Sequence, residues 1–72
     1  MIEVKWVRVR AGSLRTGDYI NIGAKKFICE KSYPLIIDTG EVKQAVRYIS
    51  SSGIGVTIRL PVDLVIDVVR RE

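Results

Sequence analysis

Valine and isoleucine dominate the apolar part of this 72-residue sequence, with ten residues of each. Both side chains branch at Cβ, so they suit the pleated surface of a β-sheet better than a helix. Leucine and alanine, which favour small helical bundles, together number only seven. Six glycines and two prolines supply turn positions. The composition therefore predicts an all-β fold, and the length predicts a single domain over residues 1–72.

Alternation of apolar and polar residues indicates where the strands lie. The clearest alternating segment is 56–60. Segments 19–22 and 27–31 flank a short turn, which is the pattern of a β-hairpin. The alternation over residues 2–6 slips by one position after Trp6, which predicts a bulge or bend in the first strand.

Residues 41–50 fit two structures. Four apolar residues have the i, i+3, i+4, i+7 spacing of a helix, namely Val42, Ala45, Val46 and Ile49. A strand would instead place Val42, Val46 and Tyr48 on one face, together with the polar Gln44. We favour the strand, because the neighbouring segments are strands and so short a helix has little stability alone.

Two segments resemble parts of SH3-like small β-barrels. Residues 14–20, Leu-Arg-Thr-Gly-Asp-Tyr-Ile, resemble the entry that such barrels write as Leu-x-x-Gly-Asp-x-Ile. Residues 60–66, Leu-Pro-Val-Asp-Leu-Val-Ile, resemble their last corner, where a proline opens a 3₁₀ turn. The resemblance implies a barrel of five to seven short antiparallel strands, with a 3₁₀ turn near residues 61–64. Signalling SH3 domains carry an Ala-Leu-Tyr-Asp-Tyr run and a Trp-Trp pair that this chain lacks, so the resemblance implies architecture and not peptide binding.

Residues for catalysis are scarce. The sequence has no histidine, so the commonest general base and metal ligand is missing. Its one cysteine, Cys29, cannot form an internal disulfide or a cysteine-based zinc site, and we expect an inert core thiol. The acids are scattered, and we expect Asp18 to tighten a turn. The segment Gly53-x-Gly55 lacks the Lys-Ser/Thr of a phosphate loop. We therefore predict no enzymatic activity, cofactor, metal or small-molecule substrate.

Targeting signals are also missing from the sequence pattern. No apolar stretch approaches the roughly 18 residues that span a bilayer. The first residues show no basic leader and no cleavage site of a signal peptide. We therefore expect a cytoplasmic protein without a membrane partner.

The net charge of +4 is unevenly distributed along the chain. Residues 1–31 hold seven bases and three acids, whereas residues 32–72 hold five of each. We predict a basic surface that binds the phosphates of DNA or RNA, formed by Arg8, Arg10, Arg15, Lys25 and Lys26. In this prediction Lys25 and Lys26 lie at a hairpin tip beside Arg15. The ordinary alternative is that these bases form solvated strand faces.

Aromatic residues are dispersed along the chain, and we expect Trp6 to lie in the core rather than to stack on bases. The predicted mode of nucleic-acid binding is therefore contact with the phosphate backbone, with little sequence specificity.

Two segments, 35–37 and 64–69, are apolar on both strand faces. A small barrel has one interior, so apolar residues on its second face must be covered by loops or by another chain. The alternative function is thus a protein-interaction or assembly module, as a homo-oligomer or a subunit of a larger complex. Its predicted interface uses Ile36, Val65 and Val69.

Overall fold

The computed structural model describes residues 5–70, which form seven strands and one short 3₁₀ helix. The strands are β1 (Val7–Arg10), β2 (Tyr19–Ile22), β3 (Lys25–Ile28), β4 (Lys31–Ile36), β5 (Val42–Ile49), β6 (Gly55–Pro61) and β7 (Val65–Val69). The all-β prediction is confirmed, and β5 confirms the strand in segment 41–50. Most of the alternation predicted over residues 2–6 lies outside the described residues. None of the helical structure within residues 5–70 is long and apolar enough to cross a membrane.

The strands pair into two antiparallel sheets. The four-stranded sheet has the order β1-β7-β2-β3, and the three-stranded sheet has the order β4-β5-β6. Strand β7 comes last in the sequence but lies between β1 and β2. Strands β2 and β3 form the predicted hairpin. Within residues 5–70, the strand ladders make these two sheets without a closed barrel.

The core lies between the inner faces of the two sheets. Its buried residues are Ala11, Leu14, Ile20, Phe27, Cys29, Val46, Leu60, Ile66 and Val68. Phe27 of the four-stranded sheet stacks on Tyr48 of the three-stranded sheet, with ring centroids 4.1 Å apart. Each aliphatic side chain buried in this way stabilises the fold by about 1.5–3 kcal/mol. Because the inner faces share this core, the outer faces of the two sheets point away from each other.

Gln44 is the polar exception on the inner face of β5. Its side chain is buried, and its Nε2 donates a hydrogen bond of 2.6 Å to Oγ of Ser32. Ser32 lies on the adjacent strand β4, opposite Val46. A buried amide without a partner would cost stability, and the hydroxyl removes most of that cost. The inner face of β5 therefore accommodates Gln44 beside Val46 and Tyr48.

The loop before β2 is organised by Asp18, whose side chain is almost fully buried. The backbone N–H of Arg15 donates to Oδ2 of Asp18 at 2.9 Å, and the Asp18 N–H donates to the Arg15 carbonyl at 3.1 Å. Gly17 adopts a φ of 93°, which favours glycine because it has no Cβ. Leu14 anchors the same loop in the core. The predicted role of Asp18 in tightening its turn is confirmed.

The turn predicted near residues 61–64 is present as a single hydrogen-bonded turn, but the 3₁₀ helix of the described residues lies elsewhere. The 3₁₀ helix η1 spans Ala11–Ser13, directly after β1. Near residues 61–64 the chain makes a single tight turn, closed by a 3.1 Å hydrogen bond from Leu64 N–H to the Pro61 carbonyl. Pro61 is still paired with Lys43 in the sheet, so the corner between β6 and β7 consists of this one turn.

Candidate functional site

The outer face of the four-stranded sheet combines cations with aromatic and aliphatic side chains. One residue or more of each strand in this sheet faces the core, namely Val9, Ile66, Ile20 and Phe27. Successive side chains of a strand point to opposite faces, so the residues next to these in sequence face outwards. We call this surface the four-stranded outer face, and it is formed by Trp6, Arg8, Arg10, Tyr19, Asn21, Lys26, Ile28, Val65, Asp67 and Val69. It unites residues predicted for phosphate contact with residues predicted for a protein interface.

A polar row crosses all four strands of this face. Arg8 is opposite Asp67, Asp67 is opposite Asn21, and Asn21 is opposite Lys26. Nε of Arg8 lies 3.5 Å from Oδ1 of Asp67, yet the Arg8 side chain remains 81% exposed. Such an exposed ion pair contributes at most about 1 kcal/mol to stability. Arg8 can therefore leave Asp67 and pair with another anion at little cost in free energy.

An apolar row runs beside the polar one. The rings of Trp6 and Tyr19 lie with centroids 5.9 Å apart and planes inclined by 33°. Trp6 is 40% exposed and Tyr19 is 37% exposed. Tyr19 is flanked in register by Val69 of β7 and by the exposed Ile28 of β3. This row gives the face an apolar, partly aromatic strip.

The expected core position of Trp6 is wrong. Val7 and Val9 take the inner side of β1, and Val9 packs against the core. Trp6 directly precedes β1, and its ring lies against that of Tyr19 on the outer side of the sheet. The alternation of apolar and polar residues slips by one position after Trp6. The apolar residues of β1 are therefore Val7 and Val9, and Trp6 does not share their side.

Arg10 and Arg15 lie at opposite ends of this region. Arg10 is opposite Val65 at the end of β1, and both side chains are exposed. Arg15 is exposed in the loop that leads into Tyr19, and its backbone is held by Asp18. The loop geometry thus fixes the Arg15 backbone at the aromatic end of the sheet.

Lys25 and Lys26 begin β3 rather than forming the hairpin tip, which is the turn at residues 23–24. Strand β3 is at the edge of the sheet opposite to β1, and the hairpin lies at the end of β2 remote from Arg15. Both lysines border a shallow cleft of about 300 Å³ together with Tyr48 and Ser51. The five predicted bases are therefore divided: Arg8, Arg10 and Lys26 share one face, whereas Arg15 and Lys25 lie apart from them.

The predicted interface residues are divided in the same way. Val65 and Val69 lie on the four-stranded outer face. Ile36 lies on β4 in the other sheet, opposite Val42. Ile36 is 71% exposed and Val42 is 44% exposed, so this pair forms a separate apolar spot.

Cys29 is buried in the core, as predicted. Burial raises the pKa of its thiol above the ordinary value, and the negative charge of Asp18 raises it further. A backbone hydrogen bond from Lys31 opposes this effect in part. A buried thiol that holds its proton is a poor nucleophile, so this residue belongs to the packing of the core.

Sequence reasoning missed a second basic surface. The outer face of the three-stranded sheet carries four bases, Lys31, Lys43, Arg47 and Arg59. Three of them come from the half of the chain with no net charge. The missed signal was the alternation within β5, where Lys43 and Arg47 share a face that holds no acid from that strand.

The chain matches no protein-family model, and it has no significant match among curated proteins or solved structures. Its function is therefore inferred from geometry and charge.

Proposed function

We propose that this protein is a non-catalytic, cytoplasmic module that binds single-stranded nucleic acid on the four-stranded outer face. The observation that carries the proposal is the exposed Trp6–Tyr19 pair beside Arg8, on a face that also holds Arg10 and Lys26. Aromatic rings on a sheet surface stack on unpaired bases, and nearby cations contact the phosphates between them. Each stacked base contributes about 1–3 kcal/mol.

The same surface accounts for the low sequence specificity in this proposal. Stacking accepts every base, because each base has a π-face. Guanidinium and ammonium groups on phosphates fix the position of the strand but do not read its sequence.

The proposed architecture behind this surface is the SH3-like barrel. Strand β7 lies between β1 and β2, and β4-β5-β6 form a meander, so two sheets enclose one core. Glu30, between β3 and β4, donates its N–H to the Arg47 carbonyl at 2.8 Å, so the β4–β5 pairing extends towards the end of β3. The segments 14–20 and 60–66 that resemble such barrels form the loop into β2 and the corner into β7.

Trp6 provides a local test, because it is the only tryptophan. Titration with oligothymidylate at low ionic strength should quench its fluorescence. The affinity should fall with salt at a log–log slope of about −2 to −3, as expected when three or four phosphates of a single strand are neutralised. The double variant Arg8→Glu/Arg10→Glu should weaken binding about tenfold or more.

The matched control is Arg8→Lys/Arg10→Lys, which keeps both positive charges and should keep most of the affinity. Undiminished binding by the charge-reversed protein contradicts the assignment of this face. Unchanged Trp6 emission at low ionic strength, with all oligonucleotides tried, contradicts nucleic-acid binding at this surface.

The alternative function, a protein-interaction or assembly module, is favoured by the exposed Ile36–Val42 pair and by Val65. Exposed aliphatic residues in register are typical of a surface that another chain covers. Light scattering should then show a dimer or larger species, and Ile36→Asp should return it to the monomer. A monomer at high concentration contradicts self-assembly.

A further inference from the structure

The outer face of the three-stranded sheet is a second concentration of positive charge. Lys31 is opposite Arg47, and Tyr33 and Arg59 are both opposite Ala45. Residues directly opposite in antiparallel strands share a face, and Lys43 follows at the next outward position of β5. We call this surface the three-stranded outer face, formed by Lys31, Tyr33, Lys43, Ala45, Arg47 and Arg59.

Acids compensate only part of this charge. Oε2 of Glu30 lies 3.5 Å from Nε of Arg47, and Oε2 of Glu41 lies 3.3 Å from Nζ of Lys43. Within residues 5–70, neither Lys31 nor Arg59 has an acid at ion-pair distance. The face therefore carries four cations against two anions, and both ion pairs are exposed enough to be weak.

A small residue, Ala45, lies at the centre of this surface, between Tyr33 and Arg59. Ala45 is fully buried although it points outwards, which shows that its longer neighbours cover it. Tyr33 is partly exposed, and Nζ of Lys31 lies 5.4 Å from the centroid of its ring. Cations around a partly exposed tyrosine on a sheet suit a strand of phosphates and bases, as on the four-stranded outer face.

We propose that the three-stranded outer face binds a second segment of nucleic acid, so that one molecule bridges two segments. This inference rests on the proposed function. The positive charge without acidic partners is complementary to phosphate. The two outer faces point away from each other across a shared core, so segments held on them lie on opposite sides of the protein.

Bridging can be measured with two oligothymidylates of about six nucleotides, a length within the site sizes of single-strand binding folds. One carries a fluorescence donor and the other an acceptor. Energy transfer between them should appear when the wild-type protein is added. The variant Lys31→Glu/Arg59→Glu should abolish the energy transfer, while quenching of Trp6 keeps its affinity within about twofold.

The control Lys31→Arg/Arg59→Lys exchanges the two cations and should keep the energy transfer. Circular dichroism checks that each variant is folded, and Lys31→Gln/Arg59→Gln replaces the reversed variant if that one unfolds. Quenching of Trp6 without energy transfer overturns the bridging inference and leaves the proposed function standing. Energy transfer that survives charge removal also overturns it, because the segments would then be joined by self-association. Absence of both signals contradicts the proposed function itself.

Discussion

Arg70 and Asp18 form an ion pair across 52 positions of sequence, with Nε of Arg70 lying 3.2 Å from both carboxylate oxygens of Asp18. The Asp18 side chain is only 5% exposed and that of Arg70 is 22% exposed. Arg70 also donates to the backbone carbonyl of Ser13. The pair thus fastens the chain after β7 to the loop that precedes β2.

Replacement of Asp18 by alanine should lower the free energy of unfolding by about 3 kcal/mol. The change removes the acceptor of the Arg15 N–H and leaves the partly buried Arg70 guanidinium without its anion. Urea unfolding followed by circular dichroism measures the loss. The exposed Asp63, in the turn before β7, is the control, and Asp63→Ala should cost less than about 0.5 kcal/mol. Equal losses in the two variants would contradict the role of the ion pair.

Truncation of Ile20 tests the core between the sheets. Ile20 is fully buried on β2, where it is opposite both Val68 and Phe27. Ile20→Ala should cost about 2–5 kcal/mol, because it removes buried methyl groups and leaves a cavity. Ile54, exposed in the turn before β6, provides the same substitution without a cavity and should cost little. A small loss at Ile20 would show that the two sheets do not share the core described.

The hydrogen bond between Gln44 and Ser32 should appear as coupling in a double-mutant cycle. Ser32→Ala should cost about 1–3 kcal/mol, because it leaves the buried Gln44 amide without its acceptor. Gln44→Leu made in the Ser32→Ala background should recover part of this loss, because the orphaned amide is then removed. Additive losses, measured by urea unfolding of all four proteins, would exclude the coupling.

Cys29 should make stability depend on pH in the alkaline range. Its raised pKa means that the folded protein holds the thiol proton more tightly than the unfolded chain does. The contribution is therefore fully present below the ordinary thiol pKa and is lost as the pH rises through the folded pKa. Unfolding measured across this range should show a smaller decline in Cys29→Ala than in the wild type. Parallel profiles for the two proteins would contradict the effect.

The elements that the sequence predicted well are those in which local pattern and burial agree. Segment 41–50 forms a strand despite the helical spacing of its apolar residues. Strands β4 and β6 pair with the two edges of β5, and this pairing stabilises the extended conformation. The role of Asp18 in its turn was identified correctly because the Arg15 N–H that it accepts lies three residues away in the same loop. Its second partner, Arg70, is 52 positions away and could not be foreseen from the local pattern.

The candidate site was predicted less well, because a surface depends on strand order as well as on alternation. Counting charge along the chain grouped Lys25 with Arg15, whereas the fold separates them by the length of β2. The same count hid the three-stranded outer face, where Lys31 meets Arg47 and Arg59 through the pairing of three strands. Register, which fixes these meetings, follows from long-range pairing that no single segment determines.

The central position of β7 has a consequence for biosynthesis. A ribosome makes the chain from its N-terminus, so β1 and β2 emerge well before the strand that joins them. The β2–β3 hairpin and the β4-β5-β6 meander have all their partners earlier, because their pairings are local. The pairing of β7 with β1 and β2 joins residues that are far apart in sequence. Such pairing belongs to the slower folding reactions, in the range of about milliseconds to seconds. Trp6 and Tyr19 are thus brought together only when almost all of the described chain has left the ribosome.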